Sequence, residues 1–115
     1  MKFSLGTSWL SLVGVSLFVI GLASITAQAQ SSPADGAALY KAKCAMCHGP
    51  DGAGKTPMGQ KLNIRDLHSP EVQKESDADL SQVIAKGKGK MPAAKALSAD
   101  QIKLLVSYVR ELGKK

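Results

Sequence analysis

Three stretches of this chain repeat apolar residues at three- and four-residue spacing, the period of a helix with one buried face. The first runs from Pro33 or Ala34 to Lys43 and puts Gly36, Leu39 and Tyr40 on one side. Pro33 suits a first helical position, and Asp35 suits the positive end of a helix. The second spans about Asp77 to Lys86, with Leu80, Val83 and Ile84 as its stripe. Ser76 and Asp79 mark its start, and Gly87 marks its end. The third runs from about Ala99 to Leu112 and aligns Ile102, Leu105, Tyr108, Val109 and Leu112. Ser98 with Gln101 forms a capping box before it, and Gly113 is a natural stop. No segment reads as a strand, so the expected class is all-α. Between the first two helices lies Gly49 to Glu75, rich in Gly, Pro, Asp and Asn, with a short helix expected near Ile64 to His68. A connection this long in a small domain is usually functional, and here it is long enough to wrap a bound group.

A fourth apolar stretch has no helical stripe. Trp9 to Ile25 is apolar nearly throughout, Lys2 precedes it, and Ala27-Gln28-Ala29 follows with small residues at alternate positions. This is the pattern of a secretory signal, so residues 1–29 are expected to be cleaved, leaving a domain at 30–115. The rival reading is an uncleaved helix that tethers the domain to a membrane. Both place the domain outside the cytoplasm, in the periplasm or another exported location. With the signal removed, no stable membrane insertion is expected.

Removal of that segment changes the composition. Phe3, Trp9 and Phe18 all lie within it, so Tyr40 and Tyr108 are the only aromatics that remain. A domain of this size buries little surface, and aromatic side chains normally supply much of a core's area. Some other apolar bulk or covalent staple is needed. A disulfide across so short a gap as Cys44 to Cys47 would remove little chain entropy. A large flat apolar cofactor meets the deficit better. The remaining charge, fourteen Lys and Arg against nine Asp and Glu, suits an acidic partner. Nucleic acid is not expected, because single-strand binders interleave aromatics with their basic groove.

The candidate chemistry lies in Lys43-Cys44-Ala45-Met46-Cys47-His48-Gly49. If the first helix continues through this run, Cys44, Cys47 and His48 fall on one face. Two thiols at that spacing can bond to the vinyl groups along one edge of a porphyrin, with the imidazole beside them reaching the iron. C-x-x-C-H is the established signature of that attachment. A thioredoxin-like redox pair would need a βαβ context, which is missing. A structural zinc site would need four ligands, and the gap from His48 to His68 matches no common spacing.

Haem iron then needs a sixth ligand or an open position. Met46, Met58, His68 and Met91 are the candidates. Met46 lies between the cysteines and is expected to point away, and His68 suits a local turn or a solvent-facing position. Met58 lies in the wrapping connection. Met91 lies in Gly87-Lys88-Gly89-Lys90-Met91-Pro92, where glycines permit close backbone approach and Pro92 biases Met91 to an extended backbone. Met91 is the favoured ligand, with Met58, His68 and an open site as alternatives.

Together these motifs resemble the class I, single-haem c-type cytochromes of the small bacterial and photosynthetic kind. The resemblance covers about Asp35 to Leu112. It rests on Gly36 and Tyr40, Cys44-Ala45-Met46-Cys47-His48, Gly87 to Pro92, and the Leu105, Tyr108, Val109 pattern. It implies a cytochrome c fold, in which three main helices and a long loop wrap one covalently attached haem c and the terminal helices cross near Gly36. It also implies an electron carrier with His48 and Met91 as axial ligands, not an enzyme. The alternative is a haem enzyme or gas-binding protein with an open or displaceable sixth position. Many relatives have a Trp that donates to a haem propionate, and here Asn63 and Arg65 are the expected replacements. Pro57 is a candidate for the carbonyl that orients the proximal imidazole. Lys86, Lys88, Lys90 and Lys95 crowd the Met91 segment as a docking ring for an acidic redox partner, and the protein is expected to be a monomer.

Overall fold

The structure, a computed structural model, describes residues 32–115, so the expected signal at 1–29 lies outside the described residues. Six helices follow in order: α1 (Pro33–Lys43), α2 (Ala45–His48), α3 (Pro57–Leu62), α4 (Pro70–Gln73), α5 (Asp77–Lys86) and α6 (Ala99–Leu112). Among the described residues the only β feature is an isolated bridge between Lys88 and Met91. The fold is all-α, as the apolar periodicity predicts.

The three long helices begin and end where their local signals place them. Ser32 opens α1, its N–H donating to the Asp35 carboxylate at 2.9 Å. Ser76 and Ser98 cap α5 and α6, accepting from the N–H groups of Asp79 and Gln101 at 3.1 and 3.2 Å. These caps satisfy N–H groups that the first helical turn leaves free. Gly113 follows α6 but keeps right-handed backbone, φ −65°. What favours glycine there is space: an added Cβ would meet the Gln73 side chain. That side chain donates to the Leu67 and Val109 carbonyls at 2.7 and 3.1 Å, joining the connection to α6.

The long connection differs from expectation. Ile64 to His68 is turn and irregular backbone, and two short helices, α3 and α4, flank it. Both start on a hydroxyl cap followed by proline, Thr56-Pro57 and Ser69-Pro70. Asn63 ends α3 in left-handed backbone, φ 53°, which stops any helix from running into 64–68.

The terminal helices meet at Gly36. A Cβ there would lie 2.7 Å from the Leu104 carbonyl oxygen, so only glycine lets α1 and α6 approach this closely. One turn on, the Tyr40 and Tyr108 rings stack at a tilt with centroids 4.9 Å apart. Helix α6 is the spine of the core. Its Val106 and Val109 join Val72 and Leu80 in one cluster, and its Leu105 and Leu112 join Tyr40 in another. Arg110 leaves the same helix to bond Asp77 and the Gln73 backbone carbonyl, fixing the junction of α4 and α5. Among the described residues, no helix is long and apolar enough to cross a membrane.

Candidate haem site

Helix α1 does not run unbroken through the cysteine motif. It bends at Cys44 (φ −117°, ψ −34°), and α2 restarts at once on the Cys44 carbonyl, which accepts from the Cys47 and His48 N–H groups at 3.2 and 3.0 Å. The helical spacing of Cys44, Cys47 and His48 therefore survives the bend. Two contacts hold the segment in place. The buried Tyr40 hydroxyl donates to the Gly49 carbonyl at 2.8 Å, and the Thr56 hydroxyl donates to the Cys47 carbonyl at 2.9 Å while accepting from the Gly59 N–H. The Tyr40 hydroxyl keeps its proton well above the usual phenol range, first because it is buried and then because Cys44 lies close.

Cys44, Cys47, His48 and Met91 all line one cavity of about 890 Å³. That volume falls within the roughly 300–1,000 Å³ typical of cofactor sites. The floor and walls are mainly aliphatic, from Leu62, Ile64, Leu67, Val83, Ile84 and Leu97. Both cysteines are free thiols and half-buried. Burial, and then the neighbouring Cys47, pushes the Cys44 thiol above its ordinary range.

Met91 reaches the cavity on a tight turn. The Lys88 N–H donates to the Met91 carbonyl at 3.1 Å, and the Met91 N–H donates back to the Lys88 carbonyl at 3.0 Å. Gly87 and Gly89 adopt positive φ, 77° and 58°, which non-glycine residues rarely do. The Ala94 N–H bonds the Ile84 carbonyl at 2.9 Å and pins the segment to α5.

The other sulfur and imidazole candidates are placed elsewhere. Met46 points outward and is 78% exposed, Met58 is exposed on α3, and neither lines the cavity. His68 also lies off the cavity, its Nδ1 2.5 Å from Asp66 in a local turn. Pro57 is not the imidazole's partner. It is the exposed first residue of α3, and His48 Nδ1 is buried with no hydrogen-bond partner among the described residues. Burial lowers the proton affinity of His48, favouring the neutral ring that binds metals.

The charge around the cavity is one-sided. Among the described residues Lys43, Arg65, Lys88, Lys90 and Lys95 line it, against the single carboxylate of Glu75. Lys86 faces a separate cleft with Glu75 and Asp79 instead. Asn63 and Arg65 both reach the cavity, and Arg65 Nη1 lies 3.3 Å from Glu75 Oε1. Sequence reading did not single out Lys43, Thr56, Glu75 or Arg110. Of these, Thr56 carried a readable signal, since a hydroxyl before proline marks a helix start.

The residues present fit a c-type haem. Two thiols and an unpartnered imidazole on one turn face an aliphatic cavity of cofactor size, and a thioether lies on the same cavity. A zinc or disulfide role would leave so large an apolar space unexplained. Comparison with known proteins agrees. The family model described as cytochrome c oxidase, cbb3-type, subunit III matches residues 31–109. Among solved structures, the KustC0563 c-type cytochrome is 34% identical, with a TM-score of 0.62, over 68% of this chain and 96% of that one.

Proposed function

Since the chain belongs to the family described as cytochrome c oxidase, cbb3-type, subunit III, and is a monohaem c-type cytochrome, we propose that it carries single electrons between partners outside the cytoplasm. When bound, the haem supplies the one-electron iron couple. In this reading Cys44 and Cys47 would hold it by thioether bonds, and His48 and Met91 would ligate the iron. The observation that carries the reading is the convergence of all four side chains on one aliphatic cavity.

The neutral His48 imidazole offers a nitrogen without competition from a proton. The Met91 thioether favours ferrous iron and raises the reduction potential. The aliphatic walls exclude water and disfavour the extra positive charge of the ferric state. With His48 and Met91 both ligating the iron, no position would be left open for substrate, so the protein would act as a carrier rather than an enzyme. Asn63 and Arg65 are the cavity residues suited to the haem propionates, Arg65 by its fixed charge and paired donors. The basic rim of Lys43, Lys88, Lys90 and Lys95 steers an acidic partner to the cavity mouth, and its likeness of charge disfavours self-association there.

The test is the visible spectrum of the exported, haem-loaded protein. The ferric form should show the weak red charge-transfer band of iron–thioether ligation, and Met91→Ala should abolish it without releasing the haem. Persistence of the band in that variant would remove Met91 from the ligand set. Ready binding of carbon monoxide by the wild-type ferrous protein at neutral pH would overturn the carrier reading.

A further inference from the structure

The cavity wall between α4 and α5 carries a charge that the ligand set does not use. Glu75 is the only carboxylate lining the cavity among the described residues. Its side chain is 22% exposed, against 53% for its partner Arg65. Its backbone is held from two directions: its N–H donates to the Val72 carbonyl at 3.1 Å, and Arg110 of α6 bonds its carbonyl oxygen. The Arg110 guanidinium is itself engaged by the Asp77 carboxylate and the Gln73 carbonyl. Arg65 is therefore the cation paired with the Glu75 carboxylate. On its outer side Glu75 shares a cleft with Asp79, Lys86 and Lys88.

A fixed negative charge beside a haem stabilises ferric iron over ferrous, because the ferric centre carries one more positive charge. The interaction grows where water is excluded. Glu75 is the less exposed member of the pair, so solvent and salt screen it less than they screen Arg65. We infer that the Arg65–Glu75 pair sets the reduction potential of the haem, Glu75 holding it down and Arg65 offsetting part of that charge. The inference rests on the haem-carrier reading above. It also differs from a role for Arg65 in propionate binding alone, which would leave Glu75 without influence on the iron.

The experiment is spectroelectrochemical titration of the haem-loaded wild type and of Glu75→Gln, Arg65→Gln and the double variant, at one pH and ionic strength. Glu75→Gln should raise the potential, Arg65→Gln should lower it, and the double variant should fall between the two. The larger single shift should belong to Glu75→Gln. Gln keeps the size and hydrogen-bonding capacity of Glu, and an unchanged charge-transfer band in each variant shows that the iron ligands are intact. With that band intact, an unmoved potential in Glu75→Gln, or shifts of the same sign in both single variants, would overturn the inference. A wild-type protein without covalent haem would overturn the carrier reading and the inference with it. That outcome is read from the wild-type spectrum before any variant is compared.

Discussion

At the scale of single residues, the site divides into groups set by short-range chemistry and groups set by distant contacts. Cys44, Cys47 and His48 belong to the first kind, because three- and four-residue spacing on a helix places them together. Asp66 is equally local. Its carboxylate accepts from the His68 N–H at 2.8 Å and lies against the His68 ring, and these two bonds, the backbone one first, hold the carboxyl below its ordinary range. A carboxylate with a lowered folded-state pKa stabilises the fold above its unfolded value, and that stabilisation is lost as pH falls through the folded value. Asp66→Ala should therefore destabilise the haem-loaded protein at pH 7. Solvent screening at this exposed turn keeps the difference below about 1 kcal/mol. Urea denaturation at a series of pH values should show the gap closing as the solution is acidified below the usual carboxylate range. A gap that persists unchanged in strong acid would remove the ionised carboxylate as its cause. Tyr40, Thr56 and Glu75 belong to the second kind. The groups they bond lie nine or ten positions away, and no local pattern in the chain announces those pairings.

At the scale of elements, the long helices were legible because their ends are written in adjacent residues. Ser76 and Asp79, or Ser98 and Gln101, satisfy one another within a single turn. The short helices α3 and α4 escaped because six and four residues are too few to display an apolar period. The packing of α1 on α6 is a contact between the two ends of the described chain. Here helix propensity and tertiary packing make opposite predictions. Replacing an interior helical glycine by alanine normally stabilises by roughly 1 kcal/mol. At Gly36 the added methyl would press on the Leu104 carbonyl at 2.7 Å. Gly36→Ala should instead destabilise by about 1–3 kcal/mol, as overpacking generally does. Thermal unfolding followed by circular dichroism decides the sign, and a stabilised variant would mean that the crossing is looser than described.

At the scale of the whole molecule, the cavity replaces part of the core. Among the described residues eight hydrophobic side chains are buried, and only one of them is aromatic. Five of them, Tyr40, Val72, Leu80, Leu105 and Val109, also line the 890 Å³ cavity, so a bound haem would complete both core clusters. Cys44→Ala with Cys47→Ala should therefore yield a protein without covalent haem that has lost cooperative unfolding. A sharp calorimetric transition in that haem-free protein would contradict the dependence of the fold on its cofactor. The basic rim acts at the same scale. Association with an acidic redox partner should slow steeply as salt is added, because screening shortens the reach of the Lys43, Lys88, Lys90 and Lys95 charges. Lys95→Glu should lower the low-salt association rate by about tenfold, and stopped-flow kinetics should find the difference fading at high ionic strength. Equal rates at all salt concentrations would dissociate the rim from docking.

Local chemistry in the chain determined the helical class, the limits of α1, α5 and α6, and the grouping of two thiols with an imidazole. Each of these depends on residues within about one turn of each other. Chain closure decided the rest. Only the folded path brings Met91 to the cavity of His48 while leaving Met58 and His68 outside it, and only that path sets Lys43 and Arg65 on the rim in place of Lys86. The physical reason is distance along the chain: a cap or a helical face is satisfied by its neighbours, whereas a cavity wall is assembled from segments that meet only when the whole chain has folded.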